Sequence, residues 1–307
     1  MKPAEMAKHF GNEDAARAFL ERMRWPDGAV CPHCGVVGEA YRLTPKPTGK
    51  THVRKGVWKC GACREQFTVT VATIFEDSHI QLHKWLFAIH LLCASKKGMS
   101  AHQLHRMLGI TYKSAWFMMH RIRYAMAQPP FADKLKGVVE ADETYIGGKE
   151  CGKRGKPGRD SKKTPVLALV ERGGRVRSMP MRQVTAKNLR QALQEHIASE
   201  AEIHTDEAGV YHFAKKAFAG HEVVNHSKKE YARRSGGKLI TTNTAEGFCG
   251  LLKRGVYGVY HHVGRQHLHR YLAEFDFRYN ARKISDDERA LLAVKGIGGK
   301  RLTYRDS

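Results

Sequence analysis

The sequence is short of acidic residues. Its 307 residues include 30 Asp and Glu against 53 Lys and Arg, which gives a formal net charge of +23 at pH 7. An excess of this size favours a polyanionic partner, because each phosphate neutralised by the protein releases counterions whatever the base sequence. Charge alone leaves open a basic ribosome-associated protein or a membrane-surface binder.

Long apolar runs are also missing. The longest, Trp85 to Ala94, is interrupted by His90 and reaches about half the length needed to cross a bilayer. The first 25 residues alternate charged and apolar side chains and lack the uninterrupted apolar core of a signal peptide. We therefore expect a cytoplasmic protein that is associated with the nucleoid through DNA.

Cysteine is sparse, but four of the seven form two pairs: Cys31 with Cys34, and Cys60 with Cys63. A two-residue spacer lets both thiolates of a pair reach one zinc ion at about 2.3 Å, and two such pairs complete a tetrahedron. Without an export signal, metal binding is favoured over disulfides, and a redox pair is the remaining alternative. Because four thiolates leave no open coordination position, the sequence predicts a structural zinc site.

Changes in composition and periodicity divide the chain into five regions. Helical spacing behind Asn12 comes first, and the Pro129-Pro130 linker marks the largest change of character. The predicted regions are an N-terminal helical segment (1–24), a zinc ribbon (25–75), a helix-turn-helix region (78–127), a mixed α/β domain (135–282) and a C-terminal tail (283–307). A capped helix is predicted from Ser285 in the tail.

Within the mixed α/β domain, β-prone runs come first and then alternate with helical ones. Strands are predicted over 137–146, 165–170, 176–181, 201–205 and 222–225. Helices are predicted over 185–197 and 206–217 and from residue 244 onward.

The helix-turn-helix prediction depends on residues 99–123. A capped helix runs to Gly109, and Thr111 can cap a second helix rich in long hydrogen-bond donors. Two short helices around a glycine turn are typical of this DNA-binding motif, although an ordinary helical hairpin has the same spacing. The candidate DNA contacts on the second helix are Tyr112, Lys113, Arg121 and Arg123.

Acidic residues lie inside apolar runs at two places. Asp142 falls in the run Val138 to Ile146, and Asp206 ends the run that begins at Ala201. A carboxylate is costly to bury unless it meets a metal or a positive partner. A third stretch, 242–254, carries Asn243, and it places Glu246 and Lys253 two helical turns apart on one face.

Two basic loops and a histidine-rich segment accompany these acids. Residues 149–163 hold seven Lys or Arg against two acids, and residues 228–238 hold five against one. Such loops are either simply solvated or contact phosphate. The histidines at 261, 262, 267 and 269 match no standard metal-binding spacing, and we expect them to contact DNA or pack against the following helix.

Taken in order, the stretches around Asp142, Asp206 and 243–254, with YLAEFDFRYN at 271–280, resemble bacterial insertion-sequence transposases with an N-terminal zinc ribbon. The resemblance covers residues 12–282. It implies an RNase H-like catalytic domain of the DDE type that cuts and joins DNA at the terminal inverted repeats of an insertion element. It also implies Mg²⁺ as the catalytic ion, with Asp142 and Asp206 as its ligands, and a homo-oligomer assembled on DNA. Lys253 would hold a phosphate near the cut, or is an exposed lysine on a basic helix.

The third catalytic position stays open between Asn243 and Glu246. In this family the position is either Asn or Glu. Asn243 follows Asp206 after 36 intervening residues, as the Asn form requires, whereas Glu246 has the lysine seven residues later that accompanies the Glu form. Physically, a carboxylate binds a hard divalent cation more strongly than a neutral amide does, which favours Glu246.

Two other functions compete with transposition. A DNA-binding regulator would use the ribbon and the helix-turn-helix but would not need Asp142, Asp206 and Glu246 together. A structure-selective nuclease on the same fold would cut without joining, and it would have less use for two N-terminal DNA-binding units. A metal-dependent strand-transfer assay separates all three.

Overall fold

The computed structural model describes residues 11–44, 54–127, 133–147 and 163–304. The chain forms two compact units. The first comprises residues 1–95, 101–126 and 284–307, and the second comprises residues 96–100 and 127–283. Within the described ranges, no helix combines the length and apolar character that crossing a bilayer requires.

The first unit begins with a capped helix and a small sheet. Helix α1 (Glu13–Arg24) starts where the Asn12 side chain accepts a 2.8 Å hydrogen bond from the Ala15 backbone, as the sequence predicts. Strands β1 (Ala40–Arg42), β2 (Trp58–Cys60) and β3 (Gln66–Phe67) form an antiparallel sheet in that order. Phe67 and the nearby Trp25 rings pack edge to face, with their centroids 5.7 Å apart.

Three helices follow in the same unit: α2 (Leu82–Ala94), α3 (Ala101–Leu108) and α4 (Tyr112–Met126). Gly109 has a φ of +61° and so makes the turn between α3 and α4 without the strain a larger residue would suffer. Thr111 Oγ1 accepts a 3.1 Å hydrogen bond from the Ser114 backbone and caps α4. The chain therefore has the two helices and the turn that the sequence predicts.

Two of the predicted DNA contacts on α4 are buried. Arg121 is 4% exposed and donates to the carbonyl oxygens of Leu302 (3.0 Å) and Glu76 (2.7 Å). Arg123 is 1% exposed and ranks among the largest fully buried side chains described. A guanidinium enclosed in this way cannot reach a phosphate, so the prediction that Arg121 and Arg123 contact DNA is wrong. The burial of Arg121 is partly due to the tail, which the sequence pattern did not place.

The tail begins as the sequence predicts. A helix spans Asp286–Lys295, and Ser285 and Glu288 form a reciprocal capping box at its start. Arg289 on this helix donates to the Cys93 carbonyl oxygen at 2.8 Å, which ties the tail to the end of α2. The tail thus packs within the first unit.

The second unit is built on a five-stranded mixed sheet. Its strands are β4 (Val138–Ile146), β5 (Thr164–Glu171), β6 (Val176–Pro180), β7 (Glu202–Asp206) and β8 (Gly220–Val224), in the spatial order β6-β5-β4-β7-β8. The β4–β5 and β5–β6 pairs are antiparallel, whereas β7 runs parallel to both β4 and β8. The predicted mixed α/β class is confirmed.

Helices cover both faces of this sheet. On one face, α5 (Ala186–His196) contributes Leu189 and Leu193 to a core with alternate residues of β4 and β5. On the other face lie α7 (Asn243–Gly255) and α8 (Leu268–Asn280), which contribute Phe248 and Phe275. Because both faces are covered, β5 is an almost continuous buried apolar run.

Two local predictions in this unit differ from the structure. The helix predicted over 206–217 is a 3₁₀ turn (Gly209–Tyr211) followed by the one-turn helix α6 (Ala214–Ala217). Residues 228–238, read as a basic loop, contain most of a hairpin of β9 (Ala232–Ser235) and β10 (Lys238–Thr241). The other basic loop, 149–163, lies outside the described residues except for Lys163.

Candidate active site and zinc site

The four paired cysteines converge on one point. The Sγ atoms of Cys31, Cys34, Cys60 and Cys63 all lie within 4.8 Å of one another. Cys31 and Cys63 are 3.6 Å apart at sulfur, as are Cys34 and Cys60. Four sulfurs at about 2.3 Å from a central zinc would be separated by about 3.8 Å, so the thiols fit a tetrahedral zinc site.

The ribbon backbone favours the thiolate form that zinc requires. The backbone N–H of Cys63 is the main cause that lowers the pKa of the Cys60 thiol to about 7. Backbone hydrogen bonds also act to lower the pKa of Cys34 and Cys63, but burial and the neighbouring thiols outweigh them and raise both, that of Cys63 to about 12. Gly35 follows the first pair in the left-handed region, with a φ of +76°, and its N–H donates to the Cys31 carbonyl oxygen at 2.9 Å. Among the described residues, the four cysteines are the one group of three or more Cys, His or acidic side chains whose ligand atoms are close enough together to hold a metal ion.

Asp142 and Asp206 lie at the same level of two neighbouring parallel strands. The last paired residues of β4 and β7 are Glu140 and His204, and each aspartate follows two residues later. Side chains two residues apart point to the same face of a sheet. Glu140 and His204 both contact Arg172, so this face is shared and the two aspartates project from it.

The surroundings of Asp142 disfavour its negative charge. Burial is the main cause that raises the pKa of Asp142 to about 6, and the charges of Glu246 and Asp206 raise it further. A hydrogen bond from the Cys249 thiol opposes this shift. Three acids therefore lie near enough to repel one another in a partly buried place, an arrangement that a cation would relieve.

Helix α7 brings the third stretch to the same face. Asn243 is its first residue, and Asn243, Glu246, Cys249 and Lys253 follow one another at three- and four-residue spacing. Cys249 contacts Asp142, and Lys253 is near enough to influence the pKa of that thiol. Glu246 accepts a 2.9 Å hydrogen bond from Thr242 Oγ1, whereas the exposed Asn243 side chain bonds no other described residue.

A buried glutamate fixes the start of α7. Glu140 is fully buried and accepts hydrogen bonds from the backbone N–H groups of Thr244 (2.7 Å) and Ala245 (3.1 Å). Arg172 completes the cluster by donating to Glu140 at 2.7 Å. A carboxylate at a helix N-terminus is favourable because it meets unpaired N–H groups and the positive end of the helix dipole. Glu140 thereby ties β4, which carries Asp142, to α7, which carries Glu246.

Sequence reasoning missed Cys249, which lies against Asp142. Cys249 carried no signal, because a single cysteine on an apolar helix face is usually only a core residue. Glu143 stood beside Asp142 in the sequence but points to the opposite face, where it accepts a hydrogen bond from the buried Tyr211 hydroxyl. Burial is the main cause that raises the pKa of Glu143 to about 7.

Comparison with known proteins matches both units. Residues 134–280 match the family model described as the ISXO2-like transposase domain, and residues 11–66 match the one described as the transposase zinc-ribbon domain. A Halobacterium salinarum protein, named as an uncharacterized protein in transposable element ISH50, is 26% identical over 291 residues. That alignment covers 88% of this chain and 92% of the relative.

The resemblance to zinc-ribbon transposases is thereby confirmed: the chain carries an ISXO2-like transposase domain and a transposase zinc-ribbon domain. All four cysteines of the cluster, Cys31, Cys34, Cys60 and Cys63, lie within the ribbon match. The candidate acids and α7 all lie within the transposase-domain match.

Proposed function

We propose that this ISXO2-like transposase cuts DNA at the terminal inverted repeats of an insertion element and joins the ends to target DNA. The observation that carries the proposal is the convergence of Asp142, Asp206 and the α7 face on one side of the sheet. A labelled duplex that ends in the element's terminal sequence tests it. A transposase joins the duplex to a target, a nuclease only cuts it, and a regulator only binds it.

We infer an RNase H-like catalytic fold for the second unit. The support is the strand order β6-β5-β4-β7-β8, with an antiparallel three-stranded half and a parallel half. Asp142 lies on the central strand β4, and Asp206 lies at the end of its parallel neighbour β7. Helix α7 supplies the third position.

We further propose that Asp142, Asp206 and Glu246 hold Mg²⁺. The donor set fits, since carboxylate oxygens are the ligands that Mg²⁺ prefers and their mutual repulsion needs a counter-charge. Divalent ions bound there would supply activation of a water or 3′-hydroxyl and stabilisation of the departing oxygen.

The protein's own residues position these groups. The Cys249 thiol lies beside the Asp142 carboxyl and lowers its pKa, against the larger effect of burial, and Glu140 holds α7 against β4. Lys253, which is exposed two turns after Glu246, would bind a phosphate oxygen of the DNA.

The third position is tested by comparing Glu246→Ala with Asn243→Ala in the joining assay. We expect Glu246→Ala to be at least as damaging, because losing a negative ligand weakens divalent metal binding most. The influence of Glu246 on the pKa of Asp142 supports this order. A fully active Glu246→Ala beside an inactive Asn243→Ala would instead assign the position to Asn243.

We propose that the α3–α4 pair is a helix-turn-helix that binds the element ends through Tyr112 and Lys113. Both residues are exposed at the start of α4. Tyr112 stacks on His102 at 4.3 Å between ring centroids, and Lys113 Nζ lies 4.6 Å from the centroid of the Tyr304 ring. These contacts fix the two side chains without burying them.

The double variant Tyr112→Ala/Lys113→Ala should bind the element ends less tightly, while its affinity for random duplex falls less. Base-edge contacts carry sequence preference, and phosphate contacts do not. Lys295→Ala, an exposed lysine of the same unit, is the control and should bind both duplexes like the wild type. Equal losses on both duplexes, measured by titration at moderate salt, would leave α4 with only a non-specific role.

Both ends of an element must be processed together, so we propose that two or more copies assemble on DNA. The mass of the protein–DNA complex in solution measures this directly, and a complex with one chain per pair of ends would contradict it.

A further inference from the structure

We call the segment 226–242 the basic lobe. Its first and last residues, His226 and Thr242, both contact the side chain of Glu246. His226 Nε2 lies 3.1 Å from Glu246 Oε1 at the start of the lobe, and Thr242 Oγ1 donates to the same oxygen at its end. Glu207, next to Asp206, accepts a 2.9 Å hydrogen bond from the His226 backbone. The base of the lobe is therefore built on the acidic residues of the site.

Part of the lobe's positive charge attaches it to the second unit. Arg233 donates to the Val223 carbonyl oxygen at 2.6 Å, and Lys238 pairs with Glu202 at 2.5 Å. Arg172 donates from outside the lobe to the Leu239 carbonyl oxygen, also at 2.6 Å. A turn at Gly236 and Gly237, both with positive φ, closes the hairpin tightly. The lobe is thus held in one orientation.

The rest of its charge faces solvent. Lys228, Lys229 and Arg234 are exposed, and their side chains form no hydrogen bond or ion pair with other residues that the structure describes. The one acid of the lobe, Glu230, is 3.4 Å from Arg233 and so is paired internally. Tyr231 beside it is 59% exposed. Three cations therefore remain available to an external anion.

We propose that the basic lobe binds the phosphate backbone of duplex DNA directly beside the phosphodiester that reacts. The carboxylates of Asp142, Asp206 and Glu246 repel a phosphate chain, so cations must flank them if DNA is to lie across the site. The lobe supplies such cations at a fixed place next to Glu246. The claim that the lobe lies beside the reacting bond rests on the proposed function, whereas the claim that the lobe binds DNA phosphates does not.

The test compares two double variants of the full chain: Lys228→Ala/Arg234→Ala in the lobe, and Arg182→Ala/Lys187→Ala as the control. The control residues are exposed and unpaired among described residues, and Lys187 lies on α5 across the sheet. Binding to a duplex of arbitrary sequence is measured without metal between 50 and 200 mM salt. Each lost phosphate contact lowers the slope of log affinity against log salt by about 0.9, so two lost contacts lower it by about 1.8. Between 50 and 200 mM salt, the affinity of the lobe variant should therefore fall about tenfold less than that of the wild type.

A lobe variant whose slope equals that of the wild type overturns the proposal, as does an equal drop in the control. The position is tested with neutral methylphosphonates at the phosphates flanking the cleaved bond, which should weaken the wild type but not further weaken the lobe variant. Further weakening would place the lobe elsewhere on the DNA. If the wild type does not join DNA in the presence of a divalent metal, the proposed function fails. The salt dependence of binding measured without metal still decides whether the lobe binds phosphates.

Discussion

Replacing Asp142 or Asp206 by alanine is expected to abolish DNA cleavage and joining while binding of the element ends persists. The two aspartates lie at the same level on the neighbouring strands β4 and β7. The charges of Glu246 and Asp206 both raise the pKa of Asp142. Removing either ligand would leave the remaining acids unable to hold the metals in place. We expect a loss of at least about 10²–10³-fold, the scale for removing one preorganised group that stabilises reacting charge.

The control is Glu195→Ala, an exposed acid on α5 at the opposite face of the sheet. It should leave cleavage, joining and binding unchanged. The isosteric variants Asp142→Asn and Asp206→Asn keep the side-chain shape and should be as inactive as the alanine variants. Cleavage in Mg²⁺ by both aspartate variants would contradict the assignment of these residues as ligands.

The purified protein is expected to carry one zinc per chain, and Cys31→Ser or Cys60→Ser should lose both the metal and the fold of the ribbon. Zinc binding contributes about 10–16 kcal/mol to structural sites of this kind. That is as large as the whole stability of a typical domain, about 5–15 kcal/mol, and the three short ribbon strands supply little core of their own.

Cys93→Ala is the matched control, because Cys93 is buried in the same unit but lies outside the four-thiol cluster. Its zinc content, measured by elemental analysis, should match that of the wild type. Full zinc occupancy in Cys60→Ser, or no zinc in protein prepared without chelator, would contradict the zinc assignment.

Sequence patterns correctly predicted the features that depend on interactions between residues close together in the chain. The Asn12 and Ser285 caps, the Gly109 turn and the buried run of β5 follow from hydrogen bonding and apolar periodicity over a few residues. The cysteine pairs were predicted for a similar reason, since zinc coordination restricts their spacing.

Two of the errors and omissions depend on contacts between distant parts of the chain. Arg121 was predicted to contact DNA, but it donates a hydrogen bond to the carbonyl oxygen of Leu302 in the tail, 181 residues later. The cap that Glu140 provides for α7, about a hundred residues away, leaves no local pattern in the sequence. The hairpin after β8 was hidden because its basic strands bury few side chains, which leaves no apolar alternation to detect.

The central claim is that this chain joins DNA, and the most direct measurement supplies a pre-cleaved end with a free 3′-hydroxyl. We expect the wild type to attach this labelled end to a target duplex when Mg²⁺ is present and not when it is chelated. The product should be a longer labelled strand, absent with Asp142→Ala. Cutting of the duplex without any joined product would identify a nuclease, and binding of the ends without either reaction would identify a DNA-binding regulator. Either result would contradict transposition by this protein.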